Sequence, residues 1–253
     1  MTAMKARLAA GETLFGTFLT LGSPFAAESL GMLGWDWLLV DLEHGGGDES
    51  KLVGQLMGCR AAGAHALVRV ESDVRGRSAR ALDLGVEGIM CPQVNSFEQA
   101  EAWASALHYG PQGSRGIALF HRGASYGTDP DAIEHARERT LGIAQIESPE
   151  AVEAVEEIAA VPGIDVLFVG PSDLSYSMGI FREFDHPTFR AAIERVNEAA
   201  RAAGKATGIF LTAVDQVQPA LDDGFRMIGL GSDGGFMMNA ARETLAQLVR
   251  MRG

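Results

Sequence analysis

The chain is predicted to fold as a single (β/α)8 barrel spanning residues 1–253, and three observations carry that expectation. Eight short β-rich runs recur along 253 residues. Most of them are continuous apolar stretches, the pattern of parallel strands covered on both faces. Helical segments with readable starts and stops lie between them. Strands alternating with helices imply right-handed parallel crossovers, and eight such units over about 250 residues match a closed barrel better than an open doubly wound sheet.

The first strand is expected over Thr13 to Gly22. Lys5 and Arg7 precede it, but Glu12 interrupts the apolar run, so the segment reads as a strand rather than a signal peptide. Trp37 to His44, His65 to Val70 and Gly88 to Val94 follow. Ser96-Phe97-Glu98-Gln99 opens the next helix as a capping box. The connection from Asn95 to Thr140 is long; it carries that helix, the loop Tyr109 to Gly116 and a second helix near Asp129 to Arg139. Connections of this length in compact domains are usually lids or binding loops.

The fifth strand is Leu141 to Glu147, after which Ser148-Pro149 supplies a cap and a first-turn proline. Val152, Val155, Ile158 and Ala159 share one face of the helix so begun, Glu153, Glu156 and Glu157 lie outside it, and Pro162-Gly163 ends it. Asp165 to Gly170, Lys205 to Leu211 and Arg226 to Gly231 complete the eight strands. A last helix over Phe236 to Val249 presents a broad apolar face of Met237, Met238, Ala241, Leu245, Leu248 and Val249.

Composition removes several function classes. Twenty-one Lys and Arg against 33 Asp and Glu leave a formal charge of −12 and a pI of about 4.9, which repels a nucleic-acid backbone. No apolar run approaches the roughly 18 residues that cross a bilayer, so no membrane partner is expected. Cys59 and Cys91 are too few for a disulfide scaffold or a cysteine zinc site and fit a cytoplasmic protein.

Barrels of this kind draw their catalytic groups from the C-terminal ends of strands, and here those ends are strongly polar. The second strand ends Asp41-Leu42-Glu43-His44, the third at Arg69, the fifth at Gln145-Ile146-Glu147, and the sixth runs into Gly170-Pro171-Ser172-Asp173-Leu174-Ser175. Glu147 and Asp173 are one βα unit apart, on neighbouring strand ends about 4.8 Å apart. Both carboxylates can therefore reach one Mg²⁺ or Mn²⁺, with water and substrate oxygens filling the remaining positions; two solvated loop acids are the plainer alternative. His44 lies close to acids, with Asp41, Glu43 and Asp83 as candidates to orient it and raise its basicity. Arg69 is either a structural ion-pair partner or a fork for a substrate carboxylate or developing oxyanion.

Three motifs compete with this reading. Gly229-Leu230-Gly231-Ser232-Asp233-Gly234 has dinucleotide-loop spacing but follows the last strand, where a plain tight turn is the better reading. Gly123-Ala124-Ser125-Tyr126-Gly127 has nucleophile-elbow spacing, which makes a serine hydrolase using Ser125 one alternative, yet it lies in the long irregular connection. Gly45-Gly46-Gly47 lacks the lysine of a phosphate loop and reads as flexibility beside His44. A non-catalytic barrel that binds metal and an oxo acid is the other alternative. The only lysines are Lys5, Lys51 and Lys205, none at a strand's C-terminal end. Schiff-base chemistry would need one there, so carbanion chemistry would have to rely on a metal.

Taken together, Asp41-Leu42-Glu43-His44, Val68-Arg69, Leu82-Asp83-Leu84-Gly85, Gln145-Ile146-Glu147 and Gly170-Pro171-Ser172-Asp173-Leu174-Ser175 resemble, in order and over essentially the whole chain, the HpcH/HpaI aldolases. These are class II pyruvate aldolases on a (β/α)8 barrel. The resemblance implies a reversible aldol reaction between pyruvate, or hydroxypyruvate, and an aldehyde, with Mg²⁺, Mn²⁺ or Co²⁺ as cofactor. It implies that Glu147 and Asp173 hold the metal and His44 accepts the proton. Arg69 would stabilise the transition state, Asp83 would raise the basicity of the histidine, and Gln145 and the backbone near Ser172 would contact pyruvate. It also implies a homo-oligomer, a trimer of dimers that exchange the C-terminal helix. The three glycines after His44 and Phe120-His121-Arg122 depart from the commoner pattern, which bears on the aldehyde rather than on the metal chemistry.

Overall fold

The computed structural model describes residues 3–252. Its elements run in the order α1 (Met4–Ala9), β1 (Leu14–Leu19), α2 (Pro24–Gly31), β2 (Trp37–Asp41), α3 (Glu49–Ala62), β3 (His65–Arg69), α4 (Arg75–Asp83), β4 (Gly88–Cys91) and α5 (Phe97–Leu107). After a long connection come α6 (Ala136–Arg139), β5 (Leu141–Ile146), α7 (Pro149–Glu153), α8 (Val155–Ala160), β6 (Val166–Val169), α9 (Pro171–Ser177), α10 (Pro187–Ala202), β7 (Ala206–Leu211), α11 (Val217–Asp222), β8 (Met227–Ser232) and α12 (Asp233–Arg252). The strands pair in parallel, each with its sequence neighbour, and β1 with β8 closes the barrel.

Within each continuous apolar run the side chains alternate between two cores. Trp37, Leu39, Leu67, Ile143, Val166 and Phe168 fill the barrel interior. Leu38, Val40, Val68, Ala144, Leu167 and Val169 face the surrounding helices. Bulk inside is balanced by glycine: a Cβ on Gly16 would fall 2.0 Å from the Trp37 ring, and one on Gly208 would fall 2.4 Å from Phe168. Burying each large side chain contributes roughly 1.5–3 kcal/mol. Met4 and Leu8 of α1 plug the N-terminal end of this interior.

The predicted caps form with one change of partner. Ser96 accepts the N–H of Gln99, but the Gln99 side chain reaches back to the N–H of Asn95 rather than to that of Ser96. Ser148 caps α7 through the N–H of Ala151. The helix expected beyond it is divided at Ala154, whose ψ of 6° leaves the helical range. The helix expected near Asp129 to Arg139 shrinks to Ala136–Arg139, with turns before it. Pro130 is part of the reason, since it disfavours helical geometry at Asp129. Among the described residues no helix is long and apolar enough to cross a membrane.

The C-terminal helix departs from the usual eighth barrel helix. Only Asp233 is buried in its 20 residues, and Met237, Met238, Leu245, Leu248, Val249 and Met251 are all more than half exposed.

Candidate active site

The alternation that fills the barrel also aims the polar groups. On β2 the inward series is Trp37, Leu39, Asp41; on β3 it is Leu67, Arg69; from β5 it is Leu141, Ile143, Gln145, Glu147. The last member of each series is polar and buried: Asp41 is 2 %, Arg69 8 %, Gln145 4 % and Glu147 5 % exposed. The floor of the C-terminal mouth is thus one layer of charge resting on an apolar core.

Arg69 is fixed from several sides. Its Nη2 donates to Asp41 Oδ2 at 2.7 Å and its Nε to Asp41 Oδ1 at 3.0 Å. Nη1 lies 3.1 Å from Glu43 Oε2 and 3.5 Å from Gln145 Oε1, and the ring of Phe18 packs 5.3 Å from the guanidinium carbon. Asp41 Oδ1 also accepts the N–H groups of Glu43 and His44, which turns the chain and ends β2 at Asp41, short of the expected end at His44. His44 is left with a 68 % exposed side chain and its Nε2 3.8 Å from Glu43 Oε2.

Glu147 lies across the mouth. Oε2 accepts the Gln145 amide, and Oε1 accepts the backbone N–H of Gln93 at 2.8 Å. Burial pushes its carboxyl up to about 7; the Gln93 N–H opposes the rise, and the charges of Asp173 and Glu43 add to it. Glu43 is likewise raised, chiefly by burial, with Arg69 and His44 opposing and Asp41 and Asp173 adding. Four carboxylates, Asp41, Glu43, Glu147 and Asp173, therefore face one guanidinium and one exposed imidazole.

That surplus of hard oxygen donors suits a divalent cation. Gly170 leaves space beside them, since a Cβ there would fall 2.5 Å from Glu147 Oε2 and 2.9 Å from Gln145 Nε2. Among the described residues no group of three His, Cys, Asp or Glu side chains converges as a closed metal cage. Mg²⁺-type sites need only one or two carboxylates, with water and substrate supplying the rest. The residues fit the expected cation on these grounds.

Asp173 and Ser172 occupy the first turn of α9, beside Glu147 across the β5–β6 pair; Asp173 is exposed and Ser172 half-buried. Asp83 is not brought to His44. As the last residue of α4 it accepts Arg115 Nη2 at 2.7 Å and lies 3.5 Å from His121 Nε2. No hydrogen bond or ion pair joins it to His44 among the described residues, because the long connection folds back over α4 and engages the acid first. Ser125 is exposed and sits in a one-turn segment with left-handed φ of 52° at Ser125 and 54° at Tyr126. Among the described residues no histidine or carboxylate is hydrogen-bonded to its side chain, so the hydrolase alternative lacks a base there.

Of the three glycines after His44, Gly45 and Gly47 serve close approach rather than flexibility, while a Cβ on Gly46 would meet only the Thr20 carbonyl at 3.5 Å. None has a positive φ. A Cβ on Gly45 would fall 2.2 Å from the Asp41 carbonyl and one on Gly47 3.1 Å from Gly22 Cα. Gly229 to Gly234 is not the expected tight turn: Gly229 to Ser232 continue β8, which runs directly into α12 at Asp233, with Gly231 at φ +60° near the junction. Sequence reasoning missed Gln93, because no residue signal marks a glutamine at φ +52°, and it missed Phe18 beneath Arg69 because aromatic residues on β1 read simply as core. Of the lysines, Lys5 and Lys205 line a hollow at the N-terminal end of the barrel, and Lys51 is exposed on α3.

Comparison with known proteins places this geometry in context. The sequence model described as HpcH/HpaI aldolase/citrate lyase matches residues 14–240. The hydroxypyruvate/pyruvate aldolase of Paraburkholderia phytofirmans is 38% identical over 251 residues, covering 97% of this chain and 96% of its own. The 2-dehydro-3,6-dideoxy-6-sulfogluconate aldolase of Pseudomonas putida is 40% identical over 233 residues, covering 92% and 91%. A crystal structure of a family protein from Burkholderia cenocepacia superposes with a TM-score of 0.92 at 35% identity, over 97% of this chain and 98% of that one.

Proposed function

The chain belongs to the HpcH/HpaI aldolase/citrate lyase family, whose named relatives include aldolases acting on oxo acids, and from that premise we propose a divalent-metal-dependent aldolase. It would join pyruvate or hydroxypyruvate reversibly to an aldehyde, giving a 4-hydroxy-2-oxo acid. The observation that carries the reading is the buried charge layer in which Gln145 bridges Arg69 and Glu147, at the mouth of a barrel whose lysines lie elsewhere.

Glu147 and Asp173 would hold the cation, Mg²⁺, Mn²⁺ or Co²⁺, which when bound supplies a Lewis acid for the 2-oxo group. Arg69, immobilised by Asp41 and backed by Phe18, offers fixed N–H donors where negative charge develops on the oxo-acid oxygens. Gln145 and the backbone at Ser172 contact the oxo acid and orient it. His44, beside Glu43 and open to the mouth, receives the C3 proton on its imidazole and returns it in cleavage. Asp83, engaged by Arg115, takes no part in this scheme within one chain.

Assembly through α12 and a cytoplasmic setting complete the proposal. The first is supported by the unpartnered apolar face of α12. The second is supported by two free buried cysteines, of which Cys59 is pushed up to about 12 by burial. The test uses pyruvate in D₂O: with Mg²⁺ or Mn²⁺ the methyl proton signal should disappear, a chelator should stop its loss, and borohydride should trap nothing. Exchange that survives chelation, or a borohydride adduct, would sink the proposal. Turnover with a panel of aldehydes separates an enzyme from a barrel that only binds.

A further inference from the structure

We propose that Asp233 is a positioning residue for the His44 loop, acting through Thr20; the inference rests on the reading of His44 as proton acceptor. Asp233 is 6 % exposed at the junction of β8 and α12, and among the described residues it has no cationic partner within ion-pair distance. Its charge is met by hydrogen-bond donors alone. Oδ1 accepts the N–H and hydroxyl of Thr20 at 2.7 and 2.8 Å and the N–H of Gly234 at 2.7 Å. Oδ2 accepts the N–H of Leu21 at 3.2 Å. A buried carboxylate survives only when so satisfied, and three of its four donors belong to the β1–α2 turn.

That turn touches the catalytic loop directly. The Thr20 carbonyl accepts the N–H of Gly46 at 2.7 Å, two residues beyond His44. On the other side the N–H of His44 is held by Asp41 Oδ1. His44 therefore hangs between two backbone anchors, one set by Asp41 and the other by Asp233 through Thr20. The contact has little slack, because a Cβ on Gly22 would lie only 3.0 Å from Gly47 Cα. A shift of the turn passes to the loop, and displacement of a reacting group by about 1 Å can cost 10²-fold in rate.

The experiment compares Asp233→Ala, Asp233→Asn and Thr20→Val in the full chain, reading deuterium exchange into pyruvate with Mn²⁺ and, separately, backbone amide exchange across 43–47. Asp233→Ala should slow pyruvate exchange about tenfold or more with the pyruvate KM and Mn²⁺ affinity within about twofold, and the 43–47 amides should lose protection. Asp233→Asn keeps an oxygen for Thr20 and Gly234 and should restore most of the rate. Thr20→Val removes only the hydroxyl bond and should fall between Ala and wild type; it decides the matter should Asp233→Ala fail to fold. Wild-type rates and unchanged amide protection in Asp233→Ala, or in Thr20→Val where that variant decides, would overturn the proposal. A wild-type protein that does not exchange pyruvate protons overturns the aldolase reading instead, and the amide measurement still decides whether Asp233 holds the loop.

Discussion

The guanidinium of Arg69 is seated on the carboxylate of Asp41 by two parallel bonds, 2.7 and 3.0 Å long, in a place almost closed to water. Deleting the acid would leave a buried charge with Glu43 as its remaining ion-pair partner at 3.1 Å. Asp41→Ala should therefore destabilise the protein by about 3 kcal/mol, the usual result of breaking a buried pair from one side, read by urea unfolding. With the fork no longer aimed, pyruvate proton exchange should fall by about 10²-fold, as when an oxyanion donor is removed.

Glu147 gives the pH dependence. Its carboxyl is raised to about 7 from an ordinary 4.5, so the folded, cation-free protein keeps a proton that the unfolded chain gives up. That contribution is fully present below about pH 4.5 and is lost as the pH rises through about 7. The Tm of the cation-free protein should fall over this window relative to Glu147→Gln, which carries no charge at either end. Cation binding works against the proton, so Mn²⁺ titrated calorimetrically near pH 6 should release protons. Heats independent of the buffer's ionisation enthalpy would contradict this.

Ser125 should prove dispensable. It spends left-handed backbone on an exposed turn and lacks a base, so Ser125→Gly should keep full exchange activity and gain about 1 kcal/mol by relieving the Cβ strain. A serine-directed phosphonate should leave the protein unlabelled; labelling with loss of activity would revive the hydrolase reading.

The face of α12 predicts an oligomer. Light scattering should give a multiple of 26.9 kDa, and Leu245→Arg combined with Leu248→Arg should reduce it toward the single chain while leaving the barrel's circular dichroism unchanged. A wild-type monomer at assay concentration would remove the helix from any assembly role.

Much of this was legible because a barrel strand is read twice. The continuous run gives burial on both faces, and the polar residue at its end gives the mouth, so Asp41, Arg69, Gln145 and Glu147 could be found together from sequence. What escaped depends on backbone approach across elements distant in the chain. Gln93 reaches Glu147 through a left-handed main chain, Asp233 reaches Thr20 across the closure of the barrel, and Gly45 and Gly47 are small because Asp41 and Gly22 already occupy the space. Asp83 does not meet His44 within one chain, because adjacency in a motif says nothing about Arg115, which lies 32 residues further along and binds the acid there.

The pairing of β1 with β8 has a meaning in time as well as in space. A chain emerging from its N-terminus has made every strand-end group of the mouth by Asp173, yet the ring cannot close until Met227–Ser232 arrives to pair with Leu14–Leu19. Until then β1 and β7 are open edges, and the carboxylates have no fixed frame in which to face one another. Such a non-local last step is slow to form and exposed to mispairing while it waits. The site is therefore all-or-none during synthesis: fragments ending before residue 227 would carry the charged residues of the mouth without its geometry.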